Sequence, residues 1–153
     1  MKKIFSRSAL AKILSRRGEK KVVFANGCFD LLHVGHLRLL NRAKDLGDKL
    51  VVALNSDRSL KRLKGMDRPL VPEKLRAEVL AGLACVDYVM IFCEDTPLKT
   101  IQILKPNVLI KGADYKLSEI VGRGFVQKVV RFPLVKGIST SKLIKKILAA
   151  HGR

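Results

Sequence analysis

Apolar side chains along this sequence switch repeatedly between a period of two and a period near 3.6, and glycine, proline or a capping residue marks each switch. Lys21 to Ala25 is a β-branched, aromatic run of strand length, closed by Asn26-Gly27. From about Gly35 to Leu46 the residues Leu39, Leu40, Ala43 and Leu46 share one helical face, with Gly47 as the stop. Leu50 to Leu54 reads as a second strand and Asn55-Ser56-Asp57 as the turn that leaves it. A basic loop, Lys61 to Pro69, leads into a helix opened by Pro72 and running to about Leu83. Tyr88 to Phe92 and Val108 to Ile110 read as strands on either side of a helix from Pro97 to about Leu104, and Lys128 to Phe132 as a fifth strand. Residues 8–17, with Leu10, Ala11, Ile13 and Leu14 behind Ser8, read as a first helix. Ser139-Thr140-Ser141 caps a last one that should turn Leu143, Ile144, Ile147 and Leu148 inward. Alternation at this spacing implies right-handed βαβ units. The expected fold is α/β: a single Rossmann-like, doubly wound parallel sheet of about five strands with flanking helices. No linker, repeat or low-complexity tract interrupts it, so residues 1–153 are expected to form one domain, a basic helical extension over 1–20 and a core over 21–148.

Length and composition agree with this. A chain of 153 residues that is 48% hydrophobic is about one domain with enough apolar matter for a real core. No apolar run approaches the ~18–20 residues of a membrane span, and the N-terminal segment, broken by Lys12, Arg16 and Arg17, has no secretory core. The expectation is a soluble, cytoplasmic protein. Cys28, Cys85 and Cys93 form no Cys-x-x-Cys pair, which argues against a disulfide framework or a cysteine-built zinc site and for reduced, mostly buried thiols. Thirty-one basic residues against 13 acidic ones give a net charge of +18, well above the magnitude of about 2–8 usual for small soluble domains. Residues 1–21 and 123–153 together supply +15 of it. Such a coat can bind nucleic acid, steer anionic small molecules, or be a solvated surface.

Ligands of doubly wound sheets bind beyond the carboxyl ends of the strands, where strand order reverses. The segment after the first strand is Asn26-Gly27-Cys28-Phe29-Asp30-Leu31-Leu32-His33-Val34-Gly35-His36. It holds two of the three histidines, three residues apart, at the start of a helix. Gly27 lets the backbone approach a ligand, Gly35 removes the side chain between the imidazoles, and the helix start offers free N–H groups to an anion. Imidazole Nε2–H groups at His33 and His36 could donate to phosphate oxygens. Two other readings stay open: a metal pair completed by Cys28 or Asp30, and histidines that merely hydrogen-bond the backbone.

The His33-Val34-Gly35-His36 sequence resembles one signature of the nucleotidyltransferase superfamily of cytidylyl- and adenylyltransferases. Gly137-Ile138-Ser139-Thr140-Ser141-Lys142, about 100 residues later, resembles the second. Within the superfamily the closest likeness is to heptose-1-phosphate adenylyltransferases, the ADP-heptose synthase domain. It runs from about residue 21 to 148 through Asn55-Ser56-Asp57, Lys61-Arg62-Leu63-Lys64-Gly65, Arg68-Pro69, Glu94-Asp95-Thr96-Pro97, Lys105 to Tyr115 and Glu119-Ile120-Val121-Gly122. Glycerol-3-phosphate cytidylyltransferases share Phe29 to His36 but carry an Arg-Thr-x-Gly where this chain has Leu134-Val135-Lys136-Gly137. Ala113 departs from the more usual Lys-Gly-Gly-Asp-Tyr.

The resemblance implies transfer of an adenylyl group from ATP, with Mg2+, to D-glycero-D-manno-heptose 1-phosphate, giving ADP-heptose and pyrophosphate for lipopolysaccharide core synthesis. It implies that His33, His36 and Lys64 act on the reacting phosphates, with Lys61, Arg68 and Arg76 assisting at the substrate; for Arg76 a structural ion pair is the equal alternative. Asn26, Gly27, Cys28, Phe29, Gly35, Gly112 and Asp114 should hold the nucleotide, and Gly137, Ile138, Ser139, Thr140 and Ser141 its β- and γ-phosphates. Such enzymes are commonly dimers and often fused behind a sugar kinase; with only 20 residues before the first strand, the kinase is expected to be a separate protein. The rival of another class is a nucleic-acid-binding module built on the basic ends. Against it, the chain has only eight aromatic residues, and no basic stretch interleaves them as a stacking platform does.

Overall fold

In the computed structural model, which describes residues 3–152, Val22, Phe24 and Val23, Ala25 alternate between two buried layers. That pattern belongs to a strand covered on both faces. This strand, β1 (Val22–Gly27), is the centre of a five-stranded sheet with β2 (Lys49–Asn55), β3 (Tyr88–Phe92), β4 (Val108–Gly112) and β5 (Lys128–Phe132). The spatial order is β3-β2-β1-β4-β5, and every pairing is parallel. Helices α2 (Val34–Lys44) and α4 (Glu73–Gly82) cover one face through Leu40, Ala43, Ala77 and Leu80. On the other face α1 (Arg7–Leu14) and α5 (Leu98–Leu104) set Leu10, Leu14, Ile101 and Leu104 against Phe24, Val51 and Met90. The chain steps outward from β1 to β3, then returns through α5 to lay β4 against the free side of β1. The carboxyl ends of β1 and β4 are therefore the switch point.

Several boundaries differ from the expected ones. Asn26 and Gly27 do not close β1: they pair with Ala53 and Leu54 of β2 and carry the strand to the rim of the site. The first four residues of the expected basic loop, Lys61 to Lys64, end a helix, α3 (Asp57–Lys64), capped by the Ser56 hydroxyl, which accepts from the Ser59 N–H, and anchored by fully buried Leu60. The first helix starts at Ser6, not Ser8: the Ser6 hydroxyl accepts from the Ala9 N–H. That helix is part of the core, since Leu10 and Leu14 are buried and Arg17 donates to the carbonyls of Leu104 and Lys105 at the end of α5. The link from β4 to β5 carries two short 3-10 turns and no α-helix. The last helix, α6 (Thr140–His151), is capped by Ser139 as expected. Its apolar residues are not buried: Leu143 and Ile144 are half-covered, and Ile147 and Leu148 are exposed. Among the described residues no helix is long and apolar enough to cross a membrane.

Candidate active site

The chain leaves β1 through a strained turn. Phe29 has φ of 45°, unusual for a side chain of its size, and its ring is buried against Gly27 and His36. Such strain persists only where surrounding contacts over-determine it. Here they do: Asp30, next in the chain, is 4% exposed. Its carboxylate accepts from Arg68 Nε at 2.6 Å and from the backbone N–H groups of Leu70 and Val71 at 2.9 Å. The loop after β1 and the loop between α3 and α4 are thus one unit.

The two histidines form the start of α2. His33 Nδ1 accepts from the Gly35 N–H at 3.1 Å, and His36 Nδ1 accepts from the His33 N–H at 3.4 Å, a reciprocal cap made by imidazoles. The rings stack with centroids 3.8 Å apart. Gly35 permits this: a Cβ there would stand 3.0 Å from His33 Cε1 and Nδ1. Because both Nδ1 atoms accept, each neutral ring carries its proton on Nε2, the nitrogen turned away from the backbone. Burial lowers the pKa of His33, and burial together with the neighbouring His33 lowers that of His36 to about 4. Both rings are therefore neutral donors at pH 7. A metal reading fits poorly. Both Asp30 oxygens are taken, and among the described residues no group of three or more His, Cys, Asp or Glu side chains assembles.

A cleft of two joined chambers opens over the switch point. The first, about 450 Å3, is lined by Asn26, Gly27, Cys28, Phe29, Gly112 and Asp114. The second, about 730 Å3, is lined by His33, Gly35, Arg68, Gly137, Ile138, Ser139, Thr140 and Ser141. His36, Lys64, Cys28 and Phe29 border both. Gly112 has a steric reason, since a Cβ there would collide with the Asp114 carboxylate. The Ser139 hydroxyl accepts from the Lys142 N–H, while Thr140 Oγ1 donates to the Leu31 carbonyl at 3.5 Å and ties the start of α6 to the loop after β1.

Two expected contacts lie elsewhere. Lys61 is exposed on α3 and borders neither chamber. Arg76 is 2% exposed and faces the protein: it donates to the carbonyls of Val71, Cys28 and Asn55 and to the Asp57 carboxylate at 2.6 Å. Of its two readings, the structural ion pair is the observed one; it fastens the carboxyl ends of β1 and β2. The cysteines, expected to be mostly buried, are all free, but Cys28 and Cys85 are only half-buried and Cys93 is exposed. The chambers also include residues from segments that carry the resemblance but were given no site role: Lys111, Asn55, Asp95, Thr96, Tyr115 and Glu119. Asn55 ends β2, Asp95 and Thr96 follow β3, and Lys111 lies in β4. Applying the strand-end rule to every strand, and not to β1 alone, would have found them.

Comparison with known proteins agrees with this geometry. Residues 24–146 match the cytidylyltransferase-like family. The chain is 57% identical over 145 residues to the bifunctional protein HldE of Campylobacter concisus, and 52% identical to that of Helicobacter hepaticus. Each alignment covers 95% of this chain but only 31% and 30% of the relative, so the chain spans about a third of the length of these proteins. Among solved structures, a lipopolysaccharide core biosynthesis protein from Thermoplasma volcanium is 33% identical and covers 76% of this chain and 99% of its own, with a TM-score of 0.66. A pantoate-beta-alanine ligase from Francisella tularensis, 18% identical with a TM-score of 0.66 over 97% of this chain and 80% of its own, shares the fold. The chain belongs to the cytidylyltransferase-like family and is a nucleotidyltransferase.

Proposed function

We propose that this enzyme transfers the adenylyl group of ATP to D-glycero-D-manno-heptose 1-phosphate, releasing pyrophosphate and forming ADP-heptose for lipopolysaccharide core synthesis. The observation that carries the chemistry is the imidazole pair: two neutral rings, oriented through Nδ1, present Nε2–H donors to a cleft that also holds Lys64, Arg68 and the first turn of α6. The acceptor rests on the Lys111 to Tyr115 segment and the likeness to the HldE proteins and to the Thermoplasma protein.

A sugar phosphate has its second pKa near 6 and is already mostly a dianion at pH 7, so the reaction needs neither a general base nor an enzyme nucleophile. The acceptor oxygen bonds to the α-phosphorus as the bond from that phosphorus to the β-bridging oxygen breaks, and the electron pair leaves with pyrophosphate. The site has to hold two anions in line and to stabilise charge on the equatorial and leaving oxygens. In this reading His33 and His36 donate to those oxygens, Lys64 bridges the reacting phosphates where the chambers meet, and Arg68, fixed through Nε by Asp30, turns its remaining N–H groups to the nucleotide. Ser139, Thr140 and Ser141 offer the free backbone N–H groups of the α6 start to the β- and γ-phosphates. The described residues provide no cage for a resident ion. In this reading Mg2+ accompanies ATP as the Mg·ATP substrate complex and neutralises phosphate charge. The reading includes a cytoplasmic setting, a homodimer and a sugar kinase as the source of the 1-phosphate.

The test is pyrophosphate release with Mg2+, crossing ATP, CTP and GTP against heptose 1-phosphate, mannose 1-phosphate and glycerol 3-phosphate. Release with ATP and heptose 1-phosphate alone is the expected outcome. Release with CTP and glycerol 3-phosphate would overturn both the base and the acceptor, and silence in every combination would overturn the reading.

A further inference from the structure

We propose that Lys111 binds the phosphate of the acceptor in the 450 Å3 chamber it borders, while the larger chamber takes the triphosphate. The inference rests on the adenylyl-transfer reading for the identity of the acceptor, but its argument is electrostatic. Lys111 lies in β4, beside β1 at the switch point. Its Nζ donates to the Asn26 carbonyl at 3.3 Å and stands 5.1 Å from the centre of the Tyr115 ring. Among the described residues no carboxylate forms an ion pair with it. An ammonium with three donors, one long hydrogen bond and no counter-ion is poorly compensated for burial. Burial accordingly pushes its pKa down to about 8, against the opposing influence of Cys28 and Asp114. An anion in the chamber would supply the missing charge.

The two chambers differ in the anion they suit. The larger one gathers Arg68, Lys136, Lys142, both imidazoles and the α6 start, and of its two carboxylates Asp30 is consumed by Arg68 and backbone N–H groups. That set fits a polyanion. Asn55, Asp95, Thr96 and Glu119 line the smaller one alone, and Asp114 borders both. The two carboxylates confined to the smaller chamber disfavour a triphosphate there, yet they accept hydrogen bonds from the hydroxyls of a polyol. A sugar carrying a single phosphate satisfies both this rim and the cation of Lys111. Lys64, His36 and Cys28 border both chambers, where the two phosphates would meet.

The experiment compares steady-state kinetics of the full chain with Lys111→Met, which keeps the length of the side chain without its charge, and with Lys111→Arg, which keeps the charge. Loss of a charge-assisted hydrogen bond to phosphate should raise KM for the sugar 1-phosphate by roughly 10- to 100-fold in Lys111→Met. KM for ATP should stay within about twofold, and Lys111→Arg should recover part of the loss. In the unmutated enzyme kcat/KM for the sugar phosphate should fall as pH rises through about 8, because the substrate stays dianionic while Lys111 loses its proton. Lys111→Met should be flat in that window. Two other titratable groups facing Nζ do not mimic this: Cys28 and Tyr115 are both pushed above their ordinary values, largely by burial. A KM increase confined to ATP, or unchanged kinetics, would overturn the assignment. Should the unmutated enzyme release no pyrophosphate with any sugar phosphate, the adenylyl-transfer reading fails on its own. Thermal shift by mannose 1-phosphate, with Mg2+ and a non-hydrolysable ATP analogue filling the basic chamber, then decides about Lys111. Stabilisation lost in Lys111→Met keeps the anion site, and equal stabilisation of both proteins rejects it.

Discussion

At the scale of single residues, each imidazole has two separable tasks, and the two nitrogens divide them. Nδ1 caps α2; Nε2–H is free for the cleft. Asparagine places an oxygen where histidine has Nδ1 and has nothing at the Nε2 position. His33→Asn and His36→Asn should therefore fold, with melting temperatures within a few degrees of the unmutated protein. Each should lower kcat for pyrophosphate release by roughly 10²-fold or more, the range for a lost transition-state donor. Near-normal turnover in both would remove the imidazoles from the chemistry. His36 also makes an acid-stability prediction. Its folded pKa, about 4, lies below the ordinary 6.5, so the unfolded chain binds the extra proton first. The contribution to stability is complete above pH 6.5 and is lost as pH falls toward 4. Urea midpoints should drop more steeply across that window in the unmutated protein than in His36→Asn. Gly35→Ala separates packing from chemistry: helix propensity favours alanine by up to about 1 kcal/mol, but its Cβ would press on the His33 ring. Stability should change little while kcat falls about 10-fold.

At the scale of elements, the site is held by buried polar contacts that cross between loops. Arg76 joins the ends of β1 and β2 to the start of α3 through the carbonyls of Cys28 and Asn55 and the Asp57 carboxylate. Breaking a buried pair from one side costs about 3–5 kcal/mol, since the remaining groups lose their partner. Arg76→Met should lower the free energy of unfolding by that order in urea titrations. A loss below about 1 kcal/mol would mean that the guanidinium does not organise this corner. Contacts of this kind explain what the sequence could and could not disclose. Strands β3 and β5 were legible to the residue because their branched, aromatic runs are bounded by turns. Two of the chain segments that line the cleft were legible because histidine, glycine and capping serine leave marks at fixed spacing. Helix α3 was not: Leu60 and Leu63 are its only large apolar residues, and its helical state depends on the Ser56 cap and the burial of Leu60. The inward face expected of α6 failed for the opposite reason, since a helical period says which residues share a face but not whether anything covers it. Arg76 and Asp30 carry no local signal, because a buried ion pair is defined by partners distant in sequence.

For the whole molecule, the excess of positive charge is divided between structure and solvent. Arg7 pairs with Glu94 at 2.6 Å, Arg17 holds the last carbonyls of α5, and Arg131 donates to the Ala113 carbonyl beside the cleft. Lys12, Arg16, Lys145 and Lys146 are exposed and border neither chamber. Reversing these four to glutamate separates a nucleic-acid module from an enzyme whose surface steers anions. Charge alone gives the unmutated protein a salt-sensitive affinity for any duplex, which the reversed protein should lose. Its kcat should be unchanged, because these side chains lie outside the cleft. At low ionic strength its KM for ATP and the sugar phosphate should rise a few-fold, as the long-range field that concentrates anions is weakened. Near 0.15 M salt, where the Debye length is about 8 Å, that difference should vanish. A drop in kcat that persists at 0.15 M salt would show that the basic ends take part in the reaction cycle itself, and pyrophosphate-release kinetics at two salt concentrations decide it.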